Sequence, residues 1–274
     1  LQMKNERLFN RNFLLVLAGK FLLFFAFFTI LPVLPLYMQE EYNATHTEIG
    51  VVLSLYTITA LIIRPFAGFI LDSLPRRPMQ LLFYGAFTLI FCTYIIPGGV
   101  LLFAILRALH GLIFGFITVA NSTVAIDVLP SSRRNEGIGY YGISNNLGMA
   151  LGPTISFTTY NIFGSYDALF LCAFIACAIG FLMVWLVRMP KKERQNIEIR
   201  PKRLPISLDR FFLLKGTHES ITFMLLSFSY GILSTYLAVY ARDEVGIENS
   251  TGPFFLLMAL GLISARISNG PHLR

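Results

Sequence analysis

Charged residues are scarce in this sequence, and so are the residues that build disulfide, metal and catalytic sites. Only 14% of its 274 residues are charged, against about 25% in an average soluble domain, which excludes an ordinary soluble fold. The three cysteines fall inside apolar stretches and the four histidines are scattered, so we predict no disulfide framework, no metal site and no cofactor. No cluster of His, Asp or Glu at catalytic spacing occurs, so no catalytic residues and no enzymatic activity are predicted.

Long apolar runs fill most of the chain, which is 55% hydrophobic with a mean hydropathy of +0.65. Runs of about 20 residues are long enough to cross the hydrocarbon core of a bilayer as helices. The fold class predicted is therefore an all-α polytopic membrane protein. Its expected spans are residues 12–38, 47–71, 78–96, 100–126, 136–162, 167–189, 213–241 and 251–269.

The connections between these spans alternate in charge, and this alternation predicts the orientation of the chain. Basic residues concentrate before the first span, around residues 76–77 and 133–134, and in the segment from 188 to 215, whereas the other connections hold only Arg242. Cytoplasmic loops carry such an excess of Lys and Arg. We expect the N-terminus in the cytoplasm of a multi-pass protein of a bacterial cytoplasmic (inner) membrane. The net charge of +7 then reflects these loops and lipid contact, and no nucleic acid partner is predicted.

A spaced motif, Gly-x13-Arg-x3-Gly, occurs twice in the chain. The first copy is Gly50, Arg64 and Gly68, and the second, 202 residues later, is Gly252, Arg266 and Gly270. The repeat indicates that two halves of the chain share one architecture, as in many transporters.

Two short mixed-charge turns lie on the predicted cytoplasmic face. Asp72, Arg76 and Arg77 surround the first turn, and Asp127 and Arg133 belong to the second. We expect these residues, together with Arg64 and Gly68 of the preceding span, to form a conformational latch, in which an ion-pair cluster holds one conformation. Exposed ion pairs contribute little individually, so such a cluster requires partial burial and several partners.

Arg107 is the ionisable residue placed deepest within a predicted span, about 10 Å from its outer end at 1.5 Å per residue. A charge at that depth is costly and usually faces the interior of a bundle, so Arg107 is predicted to be functional. His110 lies beside it, and Gly111 and Gly115 share its helical stripe. Glycines at this spacing let a neighbouring helix approach closely.

The span over residues 136–162 contains a second small-residue stripe. Gly148 and Gly152, followed by Pro153, predict a tight helix–helix contact. Asparagines at membrane depth are expected to line a cavity or to bond across helices, because lipid offers them no partner. The candidates are Asn121, Asn145 and Asn146.

Together these motifs resemble those of the major facilitator superfamily, and most closely its proton-driven efflux (drug:H⁺ antiporter) branch. The stretch from Gly68 to Arg77 is similar to the signature of the loop between helices 2 and 3, with Arg64 one turn before it. Arg107 and His110 fall in the helix 4 signature, whose arginine the resemblance associates with proton coupling. Gly148, Gly152 and Pro153 resemble the exporter signature of helix 5, although Ser156 and Phe157 replace its later glycine pair.

The resemblance implies two six-helix halves that exchange access to a central cavity. Residues 3–189 would form the first half, 190–212 a basic cytoplasmic linker, and 213–274 helices 7 and 8. On this basis the sequence predicts a C-terminally truncated transporter with about eight of twelve helices. The implied partners are a small-molecule substrate, protons and the lipid bilayer. The implied function is proton-coupled efflux of a small amphipathic molecule; a proton-coupled importer or a sugar/metabolite porter on the same fold stays open.

Overall fold

The computed structural model describes residues 8–96, 98–189 and 216–246, and residues 253, 254, 256–258, 260, 261 and 264. Every assigned element in this part of the chain is helical, as predicted. The helices are α1 (Arg11–Ile30), α2 (Leu34–Tyr42), α3 (His46–Ser73), α4 (Arg76–Thr93), α5 (Val100–Val128), α6 (Arg134–Phe163), α7 (Tyr166–Trp185) and α8 (Thr217–Asp243), with a 3-10 turn at Ser131–Arg133.

The first predicted span, residues 12–38, was wrong as a single helix. The structure divides it into α1 and α2 at Leu31–Val33. Pro32 and Pro35 have no N–H to donate to the helix ladder, which is why the α-helix stops before the first of them and restarts around the second. The chain bridges the break with a hydrogen bond of 3.2 Å from the Val33 amide to the Ile30 carbonyl.

Side chains fix where two of the helices begin. Asn10 caps α1 by accepting a hydrogen bond of 2.9 Å from the Phe13 amide. Thr45 and Glu48 form a reciprocal capping box at the start of α3, in which each side chain accepts from the other residue's backbone amide. These bonds satisfy amides that would otherwise have no partner at a helix start.

The helices pack as a bundle, with α3 against α5, α1 against α6 and α7, and α4 against α5 and α7. Two glycine stripes set the closest approaches. A methyl group at Gly111 or Gly115 would collide with the backbone of α3, at Tyr56 and Ala60 respectively. The predicted stripe of α6 lies on α1, where a methyl group at Gly148 would come within 2.7 Å of the Phe25 amide nitrogen.

Five of the described helices are long and apolar enough to cross a membrane, namely α1, α3, α5, α7 and α8. The predicted spans 78–96 and 136–162 form α4 and α6, but neither helix is among these five. α4 begins with Arg76 and Arg77 and also carries Gln80, and α6 carries buried polar residues such as Ser144 and Asn146. These residues lower the hydropathy of both helices. The predicted linker at 190–212, and Gly252, Arg266 and Gly270 of the second motif, lie outside the described residues, as does most of span 251–269.

The bundle has two ends, named here after one residue of each. The Arg76 end holds residues 8–12, 72–77, 127–134 and 186–189, which hydrogen bonds tie together, for example from Asn12 Nδ2 to the Arg188 carbonyl at 2.7 Å. The Glu40 end holds residues 39–46, 94–96, 163–167 and 242–246, where the Tyr166 hydroxyl donates to Glu40 at 2.8 Å. The sites described below lie at these ends and between them.

Candidate functional site

A cavity of about 300 Å³ opens between α1, α3, α5 and α8. Tyr56 and Arg64 line it from α3, Arg107 from α5, and Gly231 and Thr235 from α8. The remaining lining is mainly apolar and aromatic, with Phe27 and Phe28 at the end of α1 and Phe114 on α5 among it. The cavity therefore combines an apolar wall with two arginines.

Arg107 lies at the wall of this cavity and is almost completely buried, with 1% of its surface exposed. Its guanidinium carbon is 4.2 Å from the centre of the Tyr56 ring, a cation–π distance. Its Nη1 donates a hydrogen bond of 3.3 Å to the Tyr94 hydroxyl. Two neutral tyrosines thus hold a buried cation.

His110 is joined to the same tyrosine. The Tyr94 hydroxyl lies 2.7 Å from His110 Nδ1, so Arg107, Tyr94 and His110 form one hydrogen-bonded chain. His110 is fully buried and enclosed by rings, the nearest being Phe87 at 4.5 Å between centroids. The Tyr94 hydroxyl thus connects an imidazole, the side chain whose charge changes most readily near neutral pH, to a guanidinium that keeps its proton.

Three polar atoms around this chain are buried without a hydrogen-bond partner in the part of the chain described. They are Arg107 Nε, His110 Nε2 and the Tyr56 hydroxyl. Buried polar atoms are usually paired, so three such atoms together mark a site with unused hydrogen-bonding capacity.

The glycine stripe of α5 positions this site. Because Gly111 lacks a side chain, the α3 backbone at Tyr56 can lie directly against α5, which brings the Tyr56 ring over Arg107. The Thr59 hydroxyl, one turn along, donates a hydrogen bond of 2.7 Å to the Ala108 carbonyl and joins the two helices at the same level.

The charged residues predicted to form one cytoplasmic cluster separate into distinct places. Arg76, Asp127 and Asp72 do meet: Arg76 Nη1 donates to both Asp127 carboxylate oxygens at 2.9 Å, and Nη2 donates to Asp72 at 3.3 Å. We call these three residues the Arg76 cluster. The hydrogen bond to Asp127 raises the pKa of Arg76 above its ordinary value.

Other members of the predicted cluster lie elsewhere. Arg77 donates to the Trp185 carbonyl at the end of α7, and its burial lowers its pKa below the ordinary value. Arg133 pairs with Glu136 in its own turn at 2.9 Å. Arg64 lines the cavity, and Gly68 has open space where a side chain would extend.

The three asparagines predicted as cavity-lining do not line this cavity. Asn121 instead accepts a hydrogen bond of 2.7 Å from Gln80 on α4, because its side chain faces the α4–α5 contact. Asn145 Oδ1 and Asn146 are buried on α6. Asn121 therefore meets the alternative expectation, a hydrogen bond between two helices.

Sequence reasoning missed several residues of the site. Tyr56 and Tyr94, the partners of Arg107, are ordinary aromatic residues of apolar spans, and nothing in their spacing distinguishes them. Gln80 was missed as well, although a glutamine one turn beyond Arg76 within a membrane helix is itself a signal.

The Glu40 end carries a polar cluster that the sequence did not predict. Arg242, at the end of α8, donates to Glu40 at 3.0 Å and to Gln39 at 2.6 Å. Tyr166 donates to the second oxygen of Glu40. These four residues, the Glu40 cluster, connect α8 to α2 and α7.

Removal of the Asp127 charge is expected to destabilise the bundle. In Asp127→Asn the guanidinium of Arg76 loses its main anion while half-buried, which costs about 1–3 kcal/mol. Thermal unfolding of the purified protein in a neutral detergent should shift down by several degrees. Glu136→Gln at the same end breaks only the exposed pair with Arg133 and should leave the midpoint nearly unchanged. Equal shifts for both variants would contradict the distinction.

Comparison with known proteins identifies the family to which this chain belongs. The family model described as the Major Facilitator Superfamily matches residues 16–273. The staphylopine export protein of Staphylococcus aureus is 26% identical over 250 residues, which are 89% of this chain and 62% of that protein. The multidrug resistance protein MdtG of Escherichia coli is 23% identical over 272 residues, covering 96% of this chain and 65% of MdtG. The chain thus spans less than two thirds of the length of either relative.

The fold has a solved counterpart. The crystal structure of the human organic anion transporter MFSD10 (TETRAN) superposes with a TM-score of 0.71 at 17% identity, over 95% of this chain and 72% of that chain. This similarity concerns the fold alone. Since the family model matches nearly the whole chain and the fold agrees, the predicted resemblance is confirmed: the chain is that of an integral multi-pass membrane protein and belongs to the Major Facilitator Superfamily.

Proposed function

We propose that this chain belongs to a secondary transporter that exports a small amphipathic molecule in exchange for protons. The observation that carries the proposal is the buried chain Arg107–Tyr94–His110 at the wall of a cavity inside the membrane bundle. A buried ionisable group in a membrane helix usually marks a substrate or proton pathway. Here His110 provides a group that can be protonated. Arg107 provides a fixed positive charge that interacts with a molecule in the cavity.

Export is the direction that the relatives support. The staphylopine export protein and the multidrug resistance protein MdtG carry export or drug resistance in their names. The contact of Gly148 and Gly152 with α1 is where the exporter-like motif of this sequence lies. Both observations favour efflux over uptake.

Alternating access requires that the two ends of the bundle open in turn. Because the Glu40 cluster joins α8 to α2, it keeps the Glu40 end of the bundle closed. The Arg76 cluster joins α3, α4 and α5 and holds the first six-helix unit together at the other end. The positive-inside rule assigns the Arg76 end to the cytoplasm, so the described conformation has its outer end closed.

The proposal is tested in everted membrane vesicles that contain the gene product carrying this sequence. The lumen is made acidic, and accumulation is followed for three naphthalene compounds: 1-naphthalenesulfonate, 1-naphthalenesulfonamide and (1-naphthylmethyl)trimethylammonium. Proton-coupled export predicts that at least one accumulates and that nigericin, which collapses the pH gradient, abolishes the accumulation. A proton-coupled importer would show gradient-dependent depletion of a preloaded compound, and this outcome would replace the exporter.

If the Glu40 cluster keeps its end closed, weakening the cluster should open that end more often. Arg242→Glu places like charges together at Glu40, which should open that end several-fold more often, since a partly exposed pair is worth about 1 kcal/mol. Opening is measured as the rate at which an impermeant maleimide labels a cysteine introduced at Thr235, in the cavity wall.

The charge-reversed pair Glu40→Arg with Arg242→Glu provides the control, because it restores opposite charges across the same contact. Labelling should return toward the rate of the parent protein. Persistently fast labelling in the double variant would show that the pair does not close this end.

A further inference from the structure

The charges around the cavity are of one sign. Arg107 and Arg64 both line it, and no Asp or Glu is among its lining residues in the described part of the chain. None of the ion pairs formed by the described residues includes either arginine. The cavity therefore presents positive charge that the described protein does not neutralise.

The hydrogen-bonding groups of Arg107 are also incompletely used. Among the described side chains its one hydrogen-bond partner is the neutral Tyr94 hydroxyl, at the long distance of 3.3 Å, and its Nε has no hydrogen-bond partner among them. A buried arginine held for structure alone would normally be paired with a carboxylate or with several carbonyls. The Tyr56 hydroxyl and His110 Nε2, likewise without partners, add to this unused capacity.

An aromatic wall stands next to the guanidinium. Tyr56 stacks on Phe27 with ring centroids 5.3 Å apart, and Phe27 stacks on Phe114 at 5.0 Å. All three side chains line the cavity. Such a surface suits a flat apolar body, while the arginine fork suits a carboxylate or sulfonate.

We propose that the cavity binds an amphipathic organic anion, with its acidic group on Arg107 and its apolar body against Phe27, Tyr56 and Phe114. Arg64 adds a second positive charge to the cavity. The inference rests on the proposed function, which it deepens by naming the charge of the exported molecule. The inside-negative membrane potential drives an anion outward, so the assigned charge and the assigned direction agree.

The test measures binding of the three naphthalene compounds to the purified gene product carrying this sequence, in dodecylmaltoside, by titration calorimetry. The compounds share one ring system and differ in charge, so shape and hydrophobicity are closely matched. The sulfonate is expected to bind at least about tenfold more tightly than the neutral sulfonamide, and the trimethylammonium compound most weakly. This comparison needs no variant and is independent of how substitutions affect folding.

Variants then locate the site. Arg107→Gln should reduce sulfonate affinity at least about tenfold and remove the preference over the sulfonamide. Arg134→Gln removes one exposed positive charge at the Arg76 end and should change neither. Tighter binding of the neutral or cationic compound by the parent protein would overturn the anion assignment. Vesicle export of that compound would still stand, so failure here is distinguishable from failure of the exporter proposal.

Discussion

Arg107→Gln is expected to abolish gradient-driven accumulation of substrate in everted vesicles, with a loss of at least about thirtyfold. The guanidinium is buried, stacks on Tyr56 and donates to Tyr94. Its replacement removes both the cavity charge and the hydrogen bond that joins Arg107 to Tyr94 and thus to His110. A hydrogen bond to a charged group contributes about 1.5–3 kcal/mol, and 2 kcal/mol corresponds to about thirtyfold.

Arg107→Lys separates charge from geometry at the same position. The ammonium keeps the positive charge but lacks the planar fork that stacks on Tyr56, so we expect partial activity. Arg134→Gln, expressed to the same level, should transport like the parent protein. Parent-like accumulation by Arg107→Gln would contradict a role for this residue in either substrate binding or proton coupling.

Gly111→Val is expected to have the largest effect on the bundle itself. The added side chain would collide with the Tyr56 carbonyl of α3 and with the Thr59 hydroxyl, and backbone cannot move aside as a flexible side chain can. Overpacking in well-packed cores costs about 1–3 kcal/mol and sometimes more, and here it also pushes Tyr56 off Arg107. We expect little folded protein in a size-exclusion profile, and a lowered thermal midpoint for what remains.

Gly139→Val is the matched control for this substitution. Gly139 is likewise helical, on α6, but it is exposed and has nothing within 4 Å of an added Cβ. The same side chain should therefore be tolerated there, with a nearly unchanged midpoint. Similar losses in both variants would show that valine at a helical glycine, rather than the α3–α5 contact, is responsible.

Much of the fold could be predicted from the sequence, because the length and hydropathy of an apolar segment identify it as a membrane helix. The spans starting near residues 47, 100 and 167 agree with α3, α5 and α7 to within a few residues at their starts. The break between α1 and α2 was missed because hydropathy stays high through Pro32 and Pro35. The missing N–H groups of those prolines, rather than any change in polarity, end the helix.

The site was only partly predictable. The depth of Arg107 follows from counting residues along a span, and its glycine stripe indicated a close helical neighbour. Which rings would meet the guanidinium could not be predicted, since Tyr56 and Tyr94 belong to helices whose rotation depends on tertiary packing. The same holds for Arg242 and Glu40, which lie far apart in sequence and meet only when α8 packs on α2.

Motif spacing misled in one instance. Arg64 was grouped with the charged turn at residues 72–77 because it precedes Gly68 by one helical turn. It lies nine residues before the end of α3 at Ser73, however, which is about 13 Å along the axis. The structure therefore places Arg64 at the cavity, at a distance from the Arg76 cluster.

Coupling of substrate movement to protons through Arg107 and His110 can be measured as proton flux. Proteoliposomes that contain the gene product carrying this sequence are loaded with the pH indicator pyranine and with 1-naphthalenesulfonate, the sulfonamide or the trimethylammonium compound. We expect a proton flux that depends on the transported compound in the parent protein and none in Arg107→Gln. Transport of a compound with no accompanying pyranine signal, or an undiminished signal in Arg107→Gln, would contradict this coupling.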